Sequence, residues 1–296
     1  MATIYTHQDS NIAKTWLLMS TFLIAIIGLG WVFSYVLDEP IILPVAIVLS
    51  IVMNVGSYWF SDKLVLSMSG AVEAPDAQYP DLHNVVENLA ITAGLPKPKI
   101  YIINDSSPNA FATGRNAKHA VVAVTTGLLA ILNKTELEGV IAHELSHIGN
   151  KDMLVSTIAV VLVGFVTLLS DFFLRASRFG GDRDNKAGGV FIIVGFVLAL
   201  LSPLIATLMQ LAISRRREYL ADASGALLTR YPEGLASALQ KISAHGTPMR
   251  RANNATAHLF IANPFDATGK TRGFISNLFS THPPVEARVK ALLGDK

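Results

Sequence analysis

No cysteine occurs in the 296 residues. That excludes a disulfide framework, thiolate nucleophiles and cysteine-ligated metal sites. Charge is scarce too: Asp, Glu, Lys and Arg make up only 16% of the chain, with a net charge of +2. No basic patch with interleaved aromatics stands out, which leaves nucleic-acid recognition without support. Internal repeats and low-complexity tracts are likewise missing. What remains is apolar. Half the residues (51%) are hydrophobic, which is a membrane-protein composition.

Four runs reach the roughly 20 apolar residues that cross a bilayer: 16–37, 41–60, 153–174 and 190–213. The first two carry no charge, the third only Asp171, and the fourth contains Pro203. The first is read as a retained anchor, because it is too long for the apolar core of a signal peptide and no small-x-small site ends it. The runs divide the chain into four parts. These are a tail with two spans (1–61), a first soluble part (62–152), a membrane hairpin (153–213) and a second soluble part (214–296).

Between the second and third runs lies His143-Glu144-Leu145-Ser146-His147, an H-E-x-x-H pentapeptide. Chance supplies about 0.006 copies in a chain of this composition, so the motif is a strong signal. The flanking pattern predicts a helix over 135–150. Thr135 and Glu138 are read as its capping box, and Leu137, Val140, Ile141 and Leu145 recur at helical spacing. Residues four apart share a helix face, so His143 and His147 present two imidazoles to one ion. Zinc in a catalytic site takes three protein ligands and keeps a position open. Glu144, beside the metal, is placed as general base. After the fourth run come Glu218 and Asp222, again four apart. One carboxylate is suited to complete a His₂Glu site, and the other to hold a ligand imidazole by hydrogen bonding. Two spans separate His147 from Glu218, so the chain returns to the same side and the ligands can meet.

The soluble parts read as mixed α and β. A helix is predicted over 79–93 and strands over 99–103 and 119–125, with further helices near 232–244 and 284–293. Asn109, Ala110 and Phe111 precede a reversal near 114–118. Spacing alone favours a structural hairpin with a buried Phe111. The other reading is an edge strand beside the metal, whose backbone pairs with an extended substrate. His282, in Thr281-His282-Pro283-Pro284, is a candidate to stabilise a developing oxyanion. Arg288 is a candidate for the same task or for holding a carboxylate. Lys and Arg number 20 on the side shared by the tail and both soluble parts, against four in 175–186. By the positive-inside rule that side faces the cytoplasm.

The two N-terminal spans, the run Ser107-Pro108-Asn109-Ala110-Phe111-Ala112-Thr113-Gly114, His143 to His147 with Gly149-Asn150, two further spans, Glu218 to Asp222 and Thr281 to Pro284 together resemble the HtpX family. These are heat-shock-linked membrane zinc metalloproteases related to the CAAX prenyl proteases. The resemblance spans almost the whole chain. It implies zinc ligands at His143, His147 and Glu218, a catalytic Glu144, and proteolytic quality control of membrane proteins. It also raises the substrate-strand reading of Asn109 to Phe111 and an active-site role for His282. The fold class expected is an α-helical membrane protein with an α+β zincin-like (gluzincin) protease domain and about four transmembrane helices. The activity expected is a zinc metalloendopeptidase (EC 3.4.24 class) with one Zn2+ per chain. It would lie in the cell (inner or plasma) membrane with a cytoplasmic active site, acting on membrane-protein substrates in the lipid bilayer. The alternative is a non-catalytic zinc-binding membrane scaffold or adaptor.

Overall fold

The computed structural model describes residues 4–162, 164–165, 215–245, 247–252, 256–265 and 283–294. Two long helices come first, α1 (Ile4–Leu37) and α2 (Ile42–Ser69). Both are long and apolar enough to cross a membrane, over Asp9–Val36 and Ile42–Ser69. About 20 helical residues suffice for that, so α2, at 28 residues, has turns to spare. Its last turns leave the apolar run and pack Val65 and Leu66 against a four-stranded sheet. Gly70 ends it in the left-handed conformation (φ 66°), with its N–H donating to the carbonyls of Leu66 and Ser67.

The sheet has four strands: β1 (Ala71–Glu73), β2 (Lys99–Ile103), β3 (Ala110–Thr113) and β4 (Val121–Thr125). Their order is β1-β2-β4-β3. The β2–β4 pair is parallel and the outer pairs are antiparallel. All five residues of β4 are buried. It is covered on both faces, which is why it reads as an unbroken apolar run rather than an alternating one. One face, with Ile100, Ile102, Val122 and Val124, belongs to the main core. That core is shared with α3 (Pro80–Thr92), α5 (Lys134–Gly149), α8 (Pro232–Ala244) and α9 (Val285–Leu293). The short α4 (Thr126–Ile131) links β4 to α5. The other face, with Ile103, Phe111, Val121 and Ala123, packs on the end of α2 and on Met249 and Phe260. Beyond α5, the helix α6 (Met153–Leu162) buries Ile158 and Leu162 against Phe22 and Ile26 of α1. The remaining helix is α7 (Arg215–Thr229).

Two local expectations are corrected. The capping box of α5 is Asn133 with Glu136, two residues before the Thr135–Glu138 pair. Asn133 Oδ1 accepts from the Glu136 N–H at 3.0 Å, and Glu136 Oε2 accepts from the Asn133 N–H at 2.9 Å. Glu136 is selected for this place because it also receives Ser237 Oγ (2.6 Å) and Lys241 Nζ (2.7 Å), both from α8. Tertiary contacts therefore set the helix start. Residues 117–119 form a 3₁₀ turn capped by Asn116, so the strand expected from 119 begins at Val121. Of the two later expected spans, only the beginning of 153–174 is described. The run 190–213, the loop 175–186 and His282 lie outside the described residues.

Candidate metal centre and active site

α5 and α7 cross with their backbones unusually close. A Cβ on Gly225 would lie 3.0 Å from the His143 nitrogen, so glycine is what allows α7 to lie against α5 at that level. Glu218, Ala221, Asp222 and Gly225 are the buried positions of α7 beside Arg217. They recur at i, i+3, i+4 and i+7, one helix face, and that face is turned to the pentapeptide.

On α5 the two imidazoles meet. His143 Nε2 and His147 Nε2 are 3.2 Å apart. Glu218 brings Oε2 to 3.9 Å from His143 Nε2 and Oε1 to 3.7 Å from His147 Nε2. One ligand atom from each of the three residues lies within 4.8 Å of the others. Tetrahedral zinc with bonds of about 2.0–2.1 Å has edges near 3.3 Å, so the donor set is of the right size, open by a few tenths of an ångström on the carboxylate side.

The orientation of each ring is fixed from behind. His143 Nδ1 donates to Asp222 Oδ1 (2.9 Å), and His147 Nδ1 donates to Asp152 Oδ2 (3.1 Å). Protons on both Nδ1 atoms leave both Nε2 lone pairs pointing at one place. Two lone pairs at that separation repel unless a cation lies between them, and a carboxylate–histidine–metal chain is the usual arrangement that satisfies them. The residues present therefore fit a zinc-type ion. Asp152 follows α5 after Lys151, whose φ of 57° reverses the chain and carries the carboxylate back to His147.

Asp222 is held in its turn. Arg288 donates from Nε to Asp222 Oδ2 (2.8 Å) and from Nη2 to Oδ1 (2.6 Å), a side-on fork. Its Nη1 donates to the Ile261 carbonyl (3.2 Å). Arg288 is 1% exposed and holds a carboxylate, one of the two roles the sequence offered. Burial alone would raise the Asp222 carboxyl, but hydrogen bonds from Arg288 and His143 hold it at about 2. Burial lowers His143. The same effect on His147 is outweighed by Asp152, which together with Glu218 raises it to about 10, so an ion taking up the Nε2 lone pair displaces a proton there. Glu144 is 2% exposed, and burial pushes its carboxyl up to about 7, a value suited to exchanging a proton near neutrality.

The strand β3 forms one wall. It is the edge of the sheet beside β4, and the backbone groups of residues 110 and 112 face away from β4. Ala110 is already engaged there, since its carbonyl accepts the Ile261 N–H (2.9 Å). Ala112 lines the cleft and hydrogen-bonds Glu144 through its backbone. Asn109 is a tie rather than a free group: Nδ2 donates to the Ala262 carbonyl (3.0 Å) and Oδ1 accepts the Ala262 N–H (3.2 Å). Phe111 is fully buried against Phe260, edge to face at 5.1 Å. The cleft-facing residue of this strand is thus Ala112, which the sequence pattern did not single out. Asp152, Arg217 and His258 also line the cleft and were not anticipated.

The sequence pattern of peptidase family M48 matches residues 76–296. The protease HtpX homolog of Caldanaerobacter subterraneus subsp. tengcongensis is 44% identical over 300 residues, covering 98% of this chain and 97% of that protein. The homolog of Pyrococcus abyssi is 47% identical over 282 residues, 94% of each. Among solved structures, the crystal structure of S. mikatae Ste24p aligns over 97% of this chain and 67% of its own, with a TM-score of 0.51 at 18% identity, a likeness of fold. By these relationships the chain belongs to peptidase family M48, and it is a membrane-associated metalloprotease.

Proposed function

We propose that this chain is a zinc endopeptidase of the bilayer surface that cuts membrane proteins, damaged or misfolded ones among them, in membrane quality control under stress. One observation carries the reading. Two imidazole Nε2 atoms 3.2 Å apart face one carboxylate, and each ring is tied from behind to a second carboxylate. His143, His147 and Glu218 hold the ion. Zinc bound there supplies Lewis acidity, polarising a peptide carbonyl and acidifying water. Glu144 takes the proton of the attacking water on its carboxylate and returns it to the leaving amide nitrogen. Asp222 and Asp152 keep both rings in the ligating tautomer, and Arg288 fixes Asp222. Ala112, whose backbone hydrogen-bonds Glu144, is the point on the edge strand where an extended peptide adds alongside β3; Asn109, Ala110 and Phe111 hold that strand in place. His282 remains a candidate for stabilising the oxyanion. Among the described residues the cluster has three members, the ligand number of a catalytic rather than a closed structural site, so the scaffold alternative is set aside.

The protease domain is zincin-like and split around a membrane hairpin. Residues 62–152 bring the two histidines and 214–296 the third ligand, while 1–61 and 153–213 supply four spans. His147 Nδ1 lies 3.1 Å from Asp152, the residue directly before Met153 and the third apolar run, so the metal sits near the bilayer surface, on the cytoplasmic side by the Lys and Arg distribution. Single cysteines introduced at 175–186 and near His119 test this topology in intact cells. Opposite responses to an impermeant thiol reagent are expected, and equal responses defeat the four-span arrangement. The catalytic reading is tested with Glu144→Gln. Metal content should stay at one equivalent while hydrolysis of a membrane-protein substrate falls by about 10²–10⁴-fold. Turnover at the wild-type rate would remove Glu144 as the base.

A further inference from the structure

Two arginines approach the metal ligands, and they are treated differently. Arg288 spends its donors on Asp222 and the Ile261 carbonyl. Arg217 is also about nine-tenths buried and lines the cleft with His143, Glu144, His147 and Glu218. Its Nε and Nη1 have no hydrogen-bond partner among the described residues. A guanidinium hydrogen is a strong, obligatory donor, and leaving a buried one unmade is costly. Two acids act on its charge, Asp152 and Glu218: Asp152 accepts from His147, and Glu218 faces the histidine pair. They attract the charge of Arg217 without accepting from its Nε or Nη1.

We propose that Arg217 is a substrate-binding residue, donating to a backbone carbonyl oxygen of the bound peptide next to the scissile bond. The inference rests on the peptidase reading above. The charges around the cleft favour a neutral acceptor over an anionic one. Glu144, Asp152, Glu218 and Asp222 carry four formal negative charges, and Arg217, Arg288 and a divalent ion carry four positive ones. A peptide carbonyl leaves that balance intact, whereas a substrate carboxylate adds an uncompensated charge in a buried site. This is the preference of an endopeptidase, which must accept the middle of a chain rather than its end. Arg217 lies in the first turn of α7 and interacts with Asp152, which precedes α6. The carbonyl it holds therefore lies on the membrane side of the ligands, and contact through the backbone keeps side-chain specificity broad.

The test is a double cycle on the full-length chain in detergent or nanodiscs. A peptide cleaved by the wild type and spared by Glu144→Gln first secures the peptidase reading by itself; a wild type that cleaves nothing counts against that reading instead. Each backbone carbonyl of the peptide is then replaced singly by an alkene isostere. Arg217→Met should lower kcat/KM by roughly 10- to 100-fold, the range for a charged hydrogen bond, with zinc content and Tm unchanged. One alkene position should cost the wild type a similar factor and cost Arg217→Met almost nothing more. Arg217→Lys, which retains charge and stem, provides a second variant. Zinc loss in both variants would make Arg217 a prop for the ligands and overturn the proposal. So would an unchanged kcat/KM, or alkene effects equal in wild type and variant at every position.

Discussion

In α1 and α2 many large apolar side chains point outward; in α5 and α7 several charged or titratable ones point inward. Ile24 is 68% exposed and Leu17 65%, while the buried face of α2 is made of Ser50, Asn54, Ser57 and Ser61. Residues 50, 54, 57 and 61 fall on one helix face, as small and polar residues do where helices approach closely inside a bilayer. Asn54 Nδ2 and Ser57 Oγ donate back to carbonyls of their own helix. In α5, Glu136, His143 and Glu144 are all at most 3% exposed. Such burial is tolerated only with partners, and here the partners are an anchoring lysine, two carboxylates and a metal-binding geometry. Both regions invert the usual soluble pattern, for different reasons. In the first the large apolar surface suits an apolar medium, and in the second the buried polar groups are partnered by one another.

The largest expected effect is on the metal. Glu218→Ala removes a ligand and should abolish stoichiometric zinc binding. Asp222→Ala leaves three ligands but frees the His143 ring, and should cost about 10–100-fold in affinity. Competitive chelator titration separates the two. Equal losses would mean that the two carboxylates of α7 are wrongly ordered, and that the inward-facing charges serve packing rather than the ion.

Next comes an exchange of effects between the two regions. Ile24→Lys places a charge in the middle of α1, and should weaken membrane integration by about 2.5–3.5 kcal/mol without altering zinc content. Ile141→Ala, at a fully buried position of α5, should destabilise the protease core by about 2–5 kcal/mol without affecting integration. Carbonate extraction reads the first and thermal unfolding in detergent the second. The contrast between the regions breaks if Ile24→Lys remains fully integrated and lowers the unfolding temperature instead.

What the sequence made legible follows from the range of each interaction. The pair His143 and His147, the face shared by Glu218 and Asp222, and the outward apolar helices all depend on helical period, which a sequence displays directly. The strand at 99–103 was placed for the same reason, a run of Val and Ile between turn residues. Asp152 was missed as the partner of His147 because it reaches back only through the positive φ of Lys151. The occupation of Asn109 by Ala262, 153 residues away, has no local trace. Nor does the fork from Arg288 to Asp222, which joins two helices 66 residues apart in the chain. Ala112 was hidden because it acts through its backbone, which every residue has.

The smallest expected effect tests how α5 is held. Its cap was misread by two residues because Thr135 and Glu138 satisfy the same local rule as Asn133 and Glu136. The deciding difference is distant: Ser237 and Lys241 of α8 reach Glu136. Asn133→Ala should therefore cost about 1 kcal/mol, the usual loss for an N-cap, whereas Thr135→Ala should cost less, since its hydroxyl donates only to the exposed Asn133 side chain (2.8 Å). Neither should change zinc content, because His143 lies more than two turns further along the helix. Chemical denaturation of the detergent-solubilised chain resolves a difference of this size if the zinc is kept saturating in both variants. A larger loss from Thr135→Ala than from Asn133→Ala would return the cap to the position that local pattern first suggested. It would also remove α8 as the element that fixes where the helix carrying His143 and His147 begins.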